Sequence, residues 1–219
     1  MPTSGVTTFT LTARDAITKA LHETKVTPLG EDPEAEEMED GIFALNTMLK
    51  SWQTKGLSQW SETAGTVTQT GGEVSGALPA NIRDIVSASV GSPERPITKV
   101  SRGEYFNIPN KDATGTPSMF YVARQREAAV MYLWPVPATD TDITIYYERR
   151  LDTITNASET IDFPEEYTGA LIANLAVQLG TKYGAELSPE LVARARDLRE
   201  AMFDDDRPES YTVGNWAYN

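Results

Sequence analysis

Ala13, Ala16, Ile17, Ala20 and Leu21 recur at intervals of three and four, the spacing that gathers side chains on one face of a helix. Thr12 and Asp15 stand at capping-box spacing, with Asp in place of the usual Glu or Gln, so the pattern predicts a helix over 12–25. Thr27-Pro28-Leu29-Gly30 ends it. A second, stronger pattern follows. Ala35, Met38, Ile42, Leu45, Leu49 and Trp52 form an a/d seam that Phe43 and Met48 widen. Asp32 fits the N-cap, Pro33 the first helical position, and Glu34 and Glu36 the first turn, where the helix dipole favours negative charge. Gly56 suits a left-handed terminator.

Between about 60 and 160 the helical period disappears. Short runs of β-branched and aromatic residues take its place, bounded by Gly, Pro, Asn and Asp. Candidate strands are 66–70, 82–90, 96–100, 118–124, 128–134 and 142–149, and 101–107 reads as a helical turn. Helical spacing returns after Asp162-Phe163-Pro164-Glu165-Glu166, read as a cap, an N1 proline and an acidic first turn. Tyr167, Ala170, Leu171, Asn174, Leu175 and Gln178 carry it to a stop at Gly184. Ser188-Pro189-Glu190 opens a last helix with Leu191, Ala195, Leu198 and Met202, which ends at the Asp204–Asp206 triplet.

The expected fold is α+β: a four-helix bundle of two N-terminal and two C-terminal helices, an inserted antiparallel β-domain and an extended C-terminal tail. The bundle takes 1–59 and 161–203, the β-domain 60–160 and the tail 204–219.

Composition narrows the chemistry. The 219 residues hold 32 acids against 19 Lys and Arg, for a net charge of −13, with one histidine and no cysteine. Disulfides, thiolate nucleophiles and Cys-ligated metals are excluded, and a surface this acidic does not grip nucleic acid through phosphates. The first residues, Met-Pro-Thr-Ser-Gly, show neither the basic region nor the apolar run of a signal peptide. No run approaches the ~20 apolar residues of a membrane span, so no membrane partner is expected.

Catalytic candidates are few. His22 sits beside Glu23, but no Gly-x-Ser-x-Gly elbow supplies a nucleophile. Glu36-Glu37 and Glu165-Glu166 are adjacent pairs whose side chains diverge by about 100° on a helix, a poor arrangement for two acids flanking one bond. Asp140, Asp142 and the Asp204–Asp206 run lack the alternating ligands and terminal Glu of a calcium loop. Gly71-Gly72 and Gly76 form no phosphate cradle. No catalytic residue, metal site or cofactor is expected. Phe120, Tyr121, Tyr132, Trp134, Tyr146 and Tyr147 offer either a strand core or an aromatic binding face. Tyr211, Trp216 and Tyr218 lie in a tail otherwise poor in apolar residues, where they suit docking on a partner.

The run Leu45-Asn46-Thr-Met48-Leu49-Lys-Ser-Trp52-Gln-Thr-Lys-Gly56-Leu57 resembles the head-to-tail adaptor family of short-tailed bacteriophages, the tail accessory or packaged-DNA stabilisation proteins. Leu133-Trp134-Pro135-Val136-Pro137, Tyr146-Tyr147-Glu148-Arg149-Arg150 and Phe163-Pro164-Glu165-Glu166-Tyr167 are similar to the same group.

The resemblance implies a structural virion protein, made in the host cytoplasm and located at the head–tail neck. Its expected form is a homo-oligomeric ring, typically of twelve copies. The ring docks under the portal protein, extends the DNA channel and connects to a tail or nozzle protein, while DNA passes without specific binding. Tyr211, Trp216 and Tyr218 are the expected portal-docking residues. An acidic lining would oppose lingering DNA, which makes Glu36, Glu37, Asp40, Asp204, Asp205 and Asp206 candidate channel residues. The alternatives are a virion-associated cell-wall hydrolase using a carboxylate pair, and a carbohydrate-binding module using the aromatic strands.

Overall fold

In the computed structural model, which describes residues 10–57 and 59–205, Thr12 caps the first helix as its spacing predicts. Its hydroxyl accepts the Asp15 N–H at 3.1 Å and starts α1 (Ala13–Glu23), whose Ala13, Ala16, Ile17, Ala20 and Leu21 are fully buried. The second helix, α2 (Ala35–Thr54), begins later than the sequence suggests. Glu34, not Asp32, is the N-cap, because the Glu37 carboxylate reaches back to the Glu34 N–H at 2.8 Å and closes a capping box there. Lys55 is the C-cap, and Gly56 follows with φ of 105°, the left-handed conformation expected of a terminator. Met48 joins the buried seam, but Phe43 does not: it stands 73% exposed on the outward crest.

Seven strands follow: β1 (Glu62–Gln69), β2 (Ser75–Ala77), β3 (Ile82–Val90), β4 (Arg95–Lys99), β5 (Met119–Ala123), β6 (Val130–Trp134) and β7 (Thr141–Arg149), with a short helix α3 (Arg102–Phe106) between β4 and β5. They form one curled sheet in the order β1-β7-β3-β4-β5-β6-β2. The sheet is not purely antiparallel, since β4 and β5 pair in parallel at Thr98↔Met119 and Lys99↔Phe120. A parallel link needs a crossover, and the α3 segment supplies it. Two further details depart from the sequence reading. β1 starts at Glu62, ahead of its β-branched run, because its partner β7 is long enough to pair all the way to Glu148. The three-residue β2 carries a glycine and little pattern, and it is held by pairing with β6. Alternation along β5, β6 and β7 sends Phe120, Val122, Met131, Leu133, Ile143 and Ile145 to one face, where they meet Ile82, Ile85 and Ile97.

Residues 151–160, assigned above to the β-domain, form no strand; Leu151 and Ile154 enter the helical core instead. Asn46 fixes this segment by donating to the Ile154 carbonyl at 2.8 Å and accepting the Ile154 N–H at 2.9 Å. Lys50 donates to the Leu151 carbonyl. Glu165–Tyr167 then form a 3-10 turn, with Pro164 before it, so α4 starts only at Thr168 and runs to Lys182. The last helix, α5 (Pro189–Asp205), is opened by Ser188, whose hydroxyl accepts the Leu191 N–H at 3.1 Å. Asp204 and Asp205 are thus helical and not the start of an extended tail; Asp206 onward lies outside the described residues.

The chain divides into two compact units, residues up to Trp60 with those from Leu151, and Ser61–Arg150. In the helical unit α4 is the central element, packing on α1, α2 and α5. Two glycines permit close approach. A Cβ at Gly41 would lie 2.4 Å from Ile17 Cγ2, and one at Gly180 would lie 2.6 Å from Leu187 Cδ2. Asn174 ties α4 to α5 by donating to the Ala195 carbonyl at 2.8 Å.

Candidate functional site

The aromatic strand residues separate by face. Phe120 is core, and Tyr147 packs against that core from its edge. Tyr121 and Tyr132, on the opposite face of β5 and β6, stack with centroids 5.8 Å apart. Onto them α3 places Tyr105 and Phe106, a contribution the strand pattern alone does not reveal. Ser101 caps α3 in a box with Glu104, and the Ser101 N–H is the main cause that holds the Glu104 carboxyl below its ordinary pKa. Tyr105 is almost wholly buried, and that burial, followed by the neighbouring Tyr132, raises its phenol pKa. Trp134 Nε1 donates to the Asn110 carbonyl at 2.8 Å, which ties its indole edge to the protein's own loop. Within this cluster Phe106 has the most open ring, 48% exposed, with Lys111 Nζ 5.8 Å and Arg102 Cζ 5.7 Å from its centroid, while Tyr146 on β7 is exposed apart from it. The cluster therefore works mainly as the packing that seats α3 on the sheet.

Asp140 and Asp142 serve turns and strands. Asp140 Oδ1 accepts the Gly71 N–H at 2.9 Å, and Asp142 Oδ1 accepts the Thr68 hydroxyl at 2.6 Å. Among the described residues no three His, Cys, Asp or Glu side chains converge as metal ligands. His22 Nε2 lies 3.0 Å from the Glu31 carbonyl, the contact of a histidine that braces the loop before α2.

The candidate channel acids fall into three groups. Glu37 accepts both the Glu34 N–H and the Thr27 hydroxyl, the latter at 3.1 Å. Asp40 pairs with Lys182 and accepts the Tyr183 hydroxyl at 2.7 Å. The Lys182 and then the Tyr183 hydrogen bond hold its carboxyl below the usual range, while burial and then Asp40 push the Tyr183 phenol up. Both carboxylates thus have partners within the chain. Glu36, Asp204 and Asp205 are exposed, and Asp205 accepts the Tyr167 hydroxyl at 2.5 Å. Asp206, Tyr211, Trp216 and Tyr218 lie outside the described residues.

One charged cluster was not read from the sequence. Asp84, 8% exposed within β3, receives Lys99 at 3.0 Å and Arg124 at 2.5 Å. Burial works to raise its pKa, but the Arg124 and Lys99 hydrogen bonds outweigh it and leave the carboxyl below its ordinary value. Lys99 also donates to the Ile85 carbonyl at 2.7 Å. The group joins β3, β4 and the β5–β6 turn. An acid inside the apolar run 82–90 was the available signal, since a buried carboxylate requires cationic partners.

A family model described as SU10 adaptor protein matches residues 11–215. The chain belongs to the SU10 adaptor family. No curated protein matches it. The match agrees with a phage head-to-tail adaptor and runs through both compact units of the chain. It also encloses the Leu-Asn-x-Met-Leu motif of α2, whose residues have structural duties in this adaptor. Leu45, Met48, Leu49, Trp52 and Leu57 are buried, Asn46 clamps Ile154, and Gly56 ends the helix. Membership of an adaptor family implies a structural virion component. No helix among the described residues is long and apolar enough to cross a membrane.

Proposed function

We propose that the chain is a head-to-tail adaptor whose copies form a ring, of twelve in the family's usual arrangement, beneath the portal at the genome exit. The family match over 11–215 carries this reading. In it the helical unit, read as a four-helix bundle, builds the ring wall, and the Ser61–Arg150 unit serves tail or nozzle proteins. The segment after α5 reaches the portal, with Tyr211, Trp216 and Tyr218 as its docking side chains. Protein made in the host cytoplasm joins the neck after packaging.

DNA then passes through the ring without being held. Repulsion of phosphate is assigned to the acids of this surface, with Asp204 and Asp205 exposed at the end of α5 and Asp206 next in sequence. The net charge of −13 supports a lumen of this kind.

Light scattering of the chain alone and mixed with purified portal tests the reading, and a portal-sized complex that gains a ring of adaptor mass is the expected result. Deleting 207–219 is expected to abolish that complex while the helical circular dichroism stays unchanged. Undiminished portal binding by the truncated chain would remove the tail from the docking role.

A further inference from the structure

Two exposed strips on the helical unit differ in sign and share an apolar centre. Phe43, 73% exposed, stands on the α2 crest one turn beyond Glu39 and two turns beyond Glu36, both exposed. The same helix buries Leu45, Met48, Leu49 and Trp52 on its other side, so the phenyl ring is not spare core. On α5, Val192 is 44% exposed, and Arg196 and Arg199 follow it at steps of four and three. Ala195 and Met202 on the adjoining face enter the core. Arg196 meets its sequence neighbour Asp197 at 3.1 Å, but an ion pair this exposed is weak and easily exchanged.

Charge selects the occupant. Seven of the ten residues 31–40 are acidic and none is basic, while 194–199 holds three cations, of which Arg194 pairs with Glu23 and Arg196 and Arg199 carry the strip. Among the described residues α2 packs on α1 and α4, whereas α5 packs on α4. The two strips therefore lie on helices that do not form a packed pair with each other. Unlike patches that complement one another make a head-to-tail contact, and such a contact closes a ring when its rotation divides a full turn.

We infer that the Phe43 crest of α2, with Glu36 and Glu39, docks on the Val192–Arg196–Arg199 strip of α5 in a second copy of this chain. The inference rests on the ring reading above and supplies its subunit interface. Glu36 belongs to this contact and not to the lumen. An aromatic centre flanked by paired charges is the composition of a protein interface with an anchor and a steering rim.

The absence of cysteine makes an introduced thiol unique. Phe43→Cys and Val192→Cys chains, purified separately, are mixed with portal and treated with a short bismaleimide. A product of about 48 kDa, twice the 24.1 kDa chain, is expected from the mixture and from neither variant alone. Linkage of Phe43→Cys chains to one another would indicate a two-fold contact and overturn the inference. Assembly on the portal with no linkage in the mixture would overturn this interface while the adaptor reading stands; failure of the unaltered chain to bind portal would overturn both. A second set guards against a misfolded variant. Glu36→Arg with Glu39→Arg is expected to reduce the assembled fraction about tenfold at moderate salt, and adding Arg196→Glu and Arg199→Glu to the same chain to restore it. Loss without restoration would count against the pairing.

Discussion

The helical unit and the β unit hold themselves together by different means. In the first, helices approach through small side chains and interlocking apolar ones: Gly41 against Ile17, Gly180 against Thr24 and Leu187, and an alanine-rich α1 on α4. Its polar clamps, such as Asn46 on Ile154, tie down a connecting segment. The β unit also has an apolar core, yet it adds a nearly buried carboxylate that gathers cations from β4 and the β5–β6 turn onto β3. Packing faults should therefore dominate the energetics of one unit, and charge faults should count for more in the other.

The sharpest way to break that contrast is Leu171→Ala. Leu171 is fully buried on the central helix α4, and its truncation should cost about 3 kcal/mol through lost burial and the cavity left behind. Urea melts followed by helical circular dichroism measure it. A loss under about 1 kcal/mol would show that α4 is not the centre of the unit.

Asp84→Asn comes next. It leaves two cations without their buried partner, at a cost of about 2 kcal/mol after allowance for their exposure. The effect has a pH signature. The folded carboxyl keeps its charge to lower pH than the unfolded one, so its contribution is whole above the unfolded value of about 4. It is lost as pH falls through the lower folded value. Calorimetry from pH 7 down to pH 3 should show an acid loss that the Asn variant partly lacks; parallel pH profiles would discount the cluster.

Gly41→Ala is the smallest expected effect and the most diagnostic in sign. Alanine improves helix propensity by about 1 kcal/mol, but the new Cβ meets a β-branched Ile17 held in the core. Overpacking should outweigh propensity and leave a net loss of about 1 kcal/mol. A raised melting temperature would mean that the two helices separate readily.

What was legible in the sequence follows the same division. The buried face of α1 is written as period, and Thr12 and Gly56 as punctuation, because these depend on residues within one or two turns of each other; on α4 the period finds Ala170, Leu171 and Leu175, but Gln178 is exposed and Leu179 enters the core instead. The start of α2 was not, since Asp32 is the favoured cap type and only the Glu37 carboxylate, reaching back to the Glu34 N–H, moves the start onward. Phe43 was misread because a widened seam and an exposed aromatic look identical in one dimension. β2 and the parallel β4–β5 link depend on partners far along the chain. Of the candidate site, the acids of α2 were visible as composition, but the capture of Asp40 by Lys182 and Tyr183 needs two helices side by side.

β1 and β7 are hydrogen-bonded from Glu62↔Glu148 onward, with Arg83 neutralising one of that pair at 2.7 Å. The whole Ser61–Arg150 excursion thus departs and returns at neighbouring points, as a hairpin would, and the entropy of closing it grows only slowly with its length. Such a module is a natural unit of exchange: it can be lengthened, trimmed or replaced between fixed entry and exit points while the helices that precede and follow it in the chain keep their own core.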